Sequence, residues 1–242
     1  MSRPFPCAII KPVDELASYH AAISENPNNE IPGIPGSRRK RSVGQWQKFW
    51  GNGRLLTITF MEQMPDDLKN RIERLIRQWE PSTNLTFDFD DSVVGDIRIS
   101  TLGDLNDSYL GTDALLVAAD EPTLRLGVSP ESPAFDSVVL HEFGHALGLE
   151  HEHQHPKANI PWDIPKVYEY FKQHHQWNKE QVDANLLTPL NTSSLLLGPY
   201  DKESIMHYLI PNELTLGDWE VGVNTTISKL DRRNVRKAYP KS

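Results

Sequence analysis

Cysteine is nearly absent. The 242 residues contain one, Cys7. No intrachain disulfide can form, so stability must come from packing and from any bound metal. Long apolar runs are also missing, and no stretch is long enough to span a bilayer. Positive charge is in deficit: the formal net charge is -8, which argues against nucleic-acid binding as the main role. The one compact basic run is Arg38-Arg39-Lys40-Arg41. It reads either as a solvated segment or as a proteolytic processing site. The N-terminal decapeptide lacks an apolar stretch followed by a small-residue cleavage site. Three expectations stay open: the chain remains inside the cell, leaves by another route, or has had a signal trimmed, with export favoured.

Residues 1–42 read differently from the rest. Asn26-Pro27-Asn28-Asn29 and Ile31-Pro32-Gly33-Ile34-Pro35-Gly36 punctuate rather than build elements. This part is expected to be a leader, or prosegment, draped over a domain that begins near Val43. In that domain Leu55 to Phe60 reads as a strand, and Leu85 to Asp90 alternates as a half-buried one. Asp96 to Ser100 and Thr123 to Val128 follow, with Leu115-Leu116-Val117 as a further candidate. Pro65 to Trp79 predicts a helix, with Pro65 at its start and Leu68, Ile72, Leu75, Ile76 and Trp79 on one face. A second long helix is expected from Ser132 and Pro133 through Leu147, stopped by Gly148. Beyond it the chain is loop-rich, with helices after Asp163 and Asn178 and a capping-box start at Ser228 and Asp231. The pattern implies an α+β fold: a twisted mixed five-stranded sheet with two long helices, then an irregular half closed by a terminal helix.

The chemistry sits in His141-Glu142-Phe143-Gly144-His145-Ala146-Leu147-Gly148-Leu149-Glu150-His151. Four residues apart on a helix, His141 and His145 share a face and can share one cation. A catalytic zinc needs three protein ligands. Gly148 supplies the abrupt turn that brings His151 back as the third. Zinc acidifies a bound water, and Glu142 lies where it can take that proton and pass it to a leaving amine.

Downstream stands Ser204-Ile205-Met206-His207-Tyr208. The extended histidine motif with this later methionine resembles the metzincin clan of zinc peptidases. The Ser-Ile-Met-His-Tyr run, with Glu152 directly after His151, is similar to the astacin family, in a microbial or fungal branch. The resemblance implies a zincin-like fold with an upper part at about 43–148, a lower part at about 149–242, and one zinc per chain in the cleft between them. It implies that Met206 forms a packing floor under the histidines. Tyr208 would be a fifth ligand or an oxyanion donor, and Glu152 the partner of a newly formed N-terminus. Thr123 to Val128 would be the edge strand that receives an extended polypeptide. The implied protein is a zinc endopeptidase, a monomer with a polypeptide partner and with neither nucleic acid nor membrane.

Two departures accompany the resemblance. The disulfides common in animal astacins are impossible here, and the stretch after His151 reads Glu152-His153-Gln154-His155-Pro156 rather than arginine- and aspartate-rich. Cys7 is read either as an incidental thiol or as a latency ligand at the zinc's fourth position. The setting Pro6-Cys7-Ala8 lacks the matrixin switch pattern. His153, His155, His174, His175 and His207 are expected to be surface or supporting histidines. Two other classes stay open: a catalytically weak zinc-bearing peptide-binding protein, and a zinc hydrolase of a non-peptide amide. If Glu142 carries the proton, Glu142→Ala lowers turnover by about 100- to 10,000-fold and leaves zinc content near one per chain. Near-normal hydrolysis by that variant would contradict the assignment.

Overall fold

The structure is a computed structural model that describes residues 7–30, 47–190 and 198–241. The basic run 38–41, and with it the expected boundary between leader and domain, lies outside the described residues. The sheet has six strands, not five: β1 (Cys7–Ile10), β2 (Leu55–Phe60), β3 (Thr86–Phe89), β4 (Ile97–Ser100), β5 (Asn106–Tyr109) and β6 (Leu124–Leu126). Their spatial order is β1-β5-β6-β4-β2-β3. All neighbours are parallel except β5 and β6.

Two sequence expectations need correction. Thr123 to Val128 is not an edge: β6 pairs with β4 on one side and β5 on the other. The strand outside β6 is β5, and the N-terminal β1 lies along its other side. Leu115-Leu116-Val117 is not a strand either, because Gly111–Leu116 winds into a 3-10 helix. The buried Arg98 of β4 takes the carbonyls of Val117 and Ala118 at 3.1 and 3.0 Å. Those groups are therefore committed to a side chain rather than to a ladder.

Helices α1 (Glu15–Glu25), α2 (Asp66–Ile76), α3 (Phe135–Ala146), α4 (Ile164–His175), α5 (Lys179–Val182) and α6 (Lys229–Ala238) complete the frame. In α2, Ile72, Leu75 and Ile76 are buried on one face. The helix ends earlier than expected, and Trp79 is buried in the turn that follows. Helix α3 starts at Phe135, one turn later than Ser132. It lies between the sheet, α2 and the lower half, so almost every one of its side chains is buried. Phe143 meets Phe87 of β3 edge to face at 5.1 Å.

Residues 7–30 are built structure. Asp14 caps α1 by accepting from Leu16 and Ala17. Ser18 donates to the buried Asp113 at 2.5 Å, and Asn29 exchanges bonds with both backbone groups of Phe49. Nothing in the apolar pattern announces this helix, since only Ser18 and Ala22 of it are buried.

The terminal helix α6 does more than close the chain. Its capping box forms as expected, with Ser228 and Asp231 bonding each other's backbone. Asp231 also accepts from Ser204 Oγ at 2.6 Å and from Ile205 N at 2.8 Å. One buried carboxylate therefore caps a helix and holds the turn that carries Met206. Asp231→Ala strands several buried donors at once, and about 2–4 kcal/mol of stability should be lost. Urea unfolding measures this directly; a variant within about 0.5 kcal/mol of wild type would show the network to be dispensable.

Candidate metal centre

The C-terminal end of α3 is pinned from several sides. Gly148 takes φ 88°, which a side chain rarely tolerates. Around it the backbone closes as a Schellman turn, Gly148 N to His145 O at 2.8 Å and Leu149 N to Gly144 O at 3.0 Å. Two carbonyls left over at the helix end are claimed by side chains. Trp50 Nε1 donates to Ala146 O at 2.8 Å, and the Tyr239 hydroxyl donates to Leu147 O at 2.7 Å.

This closure aims the imidazoles. His141 and His145 lie on α3, and His151 returns after the turn. His145 Nε2 is 3.1 Å from His141 Nε2 and 3.0 Å from His151 Nε2. The other ring nitrogens of the two helical histidines are occupied. His141 Nδ1 contacts Ile205 O at 2.7 Å, and His145 Nδ1 contacts Leu149 O at 2.7 Å. A carbonyl only accepts, so both Nδ1 atoms carry the proton and both Nε2 atoms present a lone pair. Burial favours the same neutral form. It holds His141 down to about 4 and, helped by neighbouring rings, places His145 and His151 well below the ordinary imidazole range.

Lone pairs converging at this distance repel one another unless a cation lies among them. Neutral, desolvated imidazole is also the ligand form of histidine, so the donor set fits a borderline-soft divalent metal such as zinc. The Cys7 Sγ joins the group: it and the three histidine nitrogens all lie within 4.8 Å of one another. Beside them Glu142 is buried, and neither of its oxygens has a hydrogen-bond partner. Burial drives its carboxyl well above the usual range, and only the Cys7 thiol, a weak donor, opposes that rise. Burial raises the Cys7 thiol in turn, and Glu142 adds to the effect.

Met206 lies beneath α3. A Cβ on Gly144 would sit 2.3 Å from its sulfur, so the glycine is what admits the methionine there. Tyr208 is buried, and its hydroxyl donates to the Cys7 carbonyl rather than joining the nitrogen cluster. Its ring stacks on His153 at 4.3 Å and meets His151 edge-on at 4.5 Å. Of the two expectations for His153, surface or supporting, the supporting one holds. The residue is buried, and its Nε2 contacts Asn185 O at 3.1 Å in a π-helical stretch, Asp183–Leu187. The expected continuation of α5 thus becomes a widened turn whose carbonyls hold the His151 loop. Gln154 Nε2 donates to Ala184 O and to Thr188 O, each at 3.0 Å. His155 contacts Gly198 O, and His207 bridges Tyr208 O and the Tyr200 hydroxyl. Glu152 accepts from Asp201 N at 2.8 Å, and burial lifts its carboxyl to about 8.

Two histidines one turn apart, a third after a glycine turn, a buried glutamate between them and a methionine below define a metzincin-type zinc peptidase centre. The family model for the astacin peptidases matches residues 42–240. The chain belongs to the astacin family, whose cofactor is zinc. A solved structure of myroilysin is 38% identical, superimposes with a TM-score of 0.76, and is matched over 81% of this chain and 97% of that one. A second myroilysin crystal structure is 32% identical with a TM-score of 0.62, over 98% of this chain and all of that one, 100%. The zinc metalloproteinase nas-38 of Caenorhabditis elegans is 26% identical over 187 residues, 72% of this chain. This chain spans 22% of the length of that relative.

Stripping zinc with a chelator should lower the melting temperature, and adding zinc back should restore it. The metal is worth about 3 kcal/mol at a hundredfold excess over its Kd. An unchanged melting curve in calorimetry would show that the cluster holds no stabilising ion.

Proposed function

We propose that this chain is a zinc endopeptidase, captured with its own leader in the substrate cleft. The convergence of three buried neutral imidazoles beside a partnerless Glu142 carries this reading. His141, His145 and His151 would hold the zinc, which supplies Lewis acidity and lowers the pKa of a water to roughly 7. Glu142 accepts a proton from the attacking water and returns it to the leaving amine nitrogen. A carboxylate placed beside the attacked bond can carry the proton in both directions. Tyr208, released from the Cys7 carbonyl, donates its hydroxyl to the oxygen that gains negative charge. The substrate is a polypeptide in extended form, added as a strand along β5. We take the protein to act as a monomer, away from nucleic acid and membrane. No helix among the described residues is long and apolar enough to cross a bilayer.

Latency belongs to the same proposal. Residues 1–42 would be the prosegment, cleaved at the basic run 38–41, and residues 43–242 the catalytic domain. Cys7 would be the latency ligand, its thiolate stabilised by the metal against the effect of burial. Strand β1 would keep substrate off β5, with Cys7 opposite Asn106 and Ile10 opposite Tyr109. Glu152, a half-buried carboxylate with no ion-pair partner among the described residues, suits the new N-terminal ammonium that processing would create.

The full-length Cys7→Ser variant should cleave a casein reporter at least about tenfold faster than the unprocessed wild type, a gain of about 1.4 kcal/mol. Equal latency in the two proteins would remove the thiol from the mechanism.

A further inference from the structure

We infer that this peptidase cleaves immediately before apolar residues, because the pocket beside His141 and Glu142 receives the side chain that follows the scissile bond. The inference deepens the peptidase reading and rests on it.

Chain direction places the pocket. Strand β1 runs parallel to β5, from Cys7 opposite Asn106 to Ile10 opposite Tyr109. A substrate added in the slightly more stable antiparallel sense runs the other way. Its N-terminal half lies along Tyr109 and Ser108, and its C-terminal half continues past Asn106. The scissile bond falls at the metal cluster, where Cys7 now sits. Two cavities flank that point. One is lined by Ile9, Ile10 and Leu110, at the Tyr109 end. The other is lined by Asn106, Cys7, His141 and Glu142, at the Asn106 end. The second is therefore on the C-terminal side of the bond.

Its walls decide what fits. Ala134, Ser137 and Val138 lie on the face of α3 that leads to His141. Ile205 and Leu209 flank Met206 and Tyr208, and Val223 stands at the rim, 49% exposed. No lysine or arginine lines the pocket. The Asn224 amide is already spent on the carbonyls of Lys202 and Ser204, each at 2.8 Å. An acidic side chain placed here would lose its hydration, find no cation, and face the carboxylate of Glu142. A basic one would pair only with Glu142 and so remove the group that moves the proton. An apolar side chain meets neither cost and buries its surface against Val138, Leu209 and Val223.

The processed chain should therefore be given a proteome-derived peptide library, with and without chelator, and the cut sites read by mass spectrometry. Leucine, methionine, phenylalanine and similar residues should be enriched directly after the cut by roughly tenfold or more over aspartate and glutamate. Val223→Arg, at an exposed rim where folding is not at stake, should raise cleavage before acidic residues by roughly tenfold. Chelator-sensitive cleavage with an acidic preference, or with none, overturns the pocket assignment and leaves the peptidase reading intact. A library left uncut under both conditions overturns both.

Discussion

Everything in the lower half of this molecule is arranged around one electrostatic problem: three uncharged imidazoles must point their lone pairs at the same spot in a place without water. Left alone, they would rotate apart. Two of them are held by backbone carbonyls behind the ring, Ile205 O for His141 and Leu149 O for His145. Each carbonyl is itself fixed. The first follows Ser204, in a turn that Asp231 grips; the second follows a glycine turn whose carbonyls Trp50 and Tyr239 hold. Residues nearly the whole chain apart thus converge on two ring orientations. The long irregular stretch after α3 is irregular because its polar groups are assigned to this task rather than to regular ladders.

The parts of this arrangement that were legible in the sequence are those with local causes. The spacing of His141, His145 and His151 follows from one helix and one turn, and so does the role of Gly148. The cap at Asn178 and the capping box at Ser228 formed because their rules involve at most four consecutive residues. What stayed hidden depends on partners distant in sequence. Helix α1 has no apolar stripe and is held instead by Ser18, Asn26 and Asn29, which bond Asp113, Trp50 and Phe49. Strand β5, Asn-Asp-Ser-Tyr, carries no strand-like composition. Its burial comes from β1 on one flank and β6 on the other. The interior position of β6 could not be read from a short apolar run, because such a run looks the same at an edge and at the centre of a sheet. The sequence could not tell a surface from a supporting role for His153, because the ring it stacks on lies 55 positions away in sequence.

Strand direction matters as much as strand occupancy. The N-terminal segment lies on β5 in the parallel sense, the reverse of the antiparallel sense proposed for substrate. On that proposal its peptide groups run backwards past the histidine cluster, and the segment would fill the cleft without being turned over. The Cys7 carbonyl also engages the Tyr208 hydroxyl, so the residue whose thiol faces the histidines also occupies the donor proposed for the oxyanion.

The covered flank of β5 has a consequence for solubility. A strand with one unsatisfied row of amides and carbonyls is a template on which any extended chain can polymerise, another molecule of the same protein included. While β1 is in place that row on β5 is closed, and the open rows of the sheet are the outer sides of β1 and β3. Without β1, the four residues Asn106 to Tyr109 would themselves be the exposed edge, and in the proposed peptidase the edge that grips a substrate would also be one through which copies could stick together.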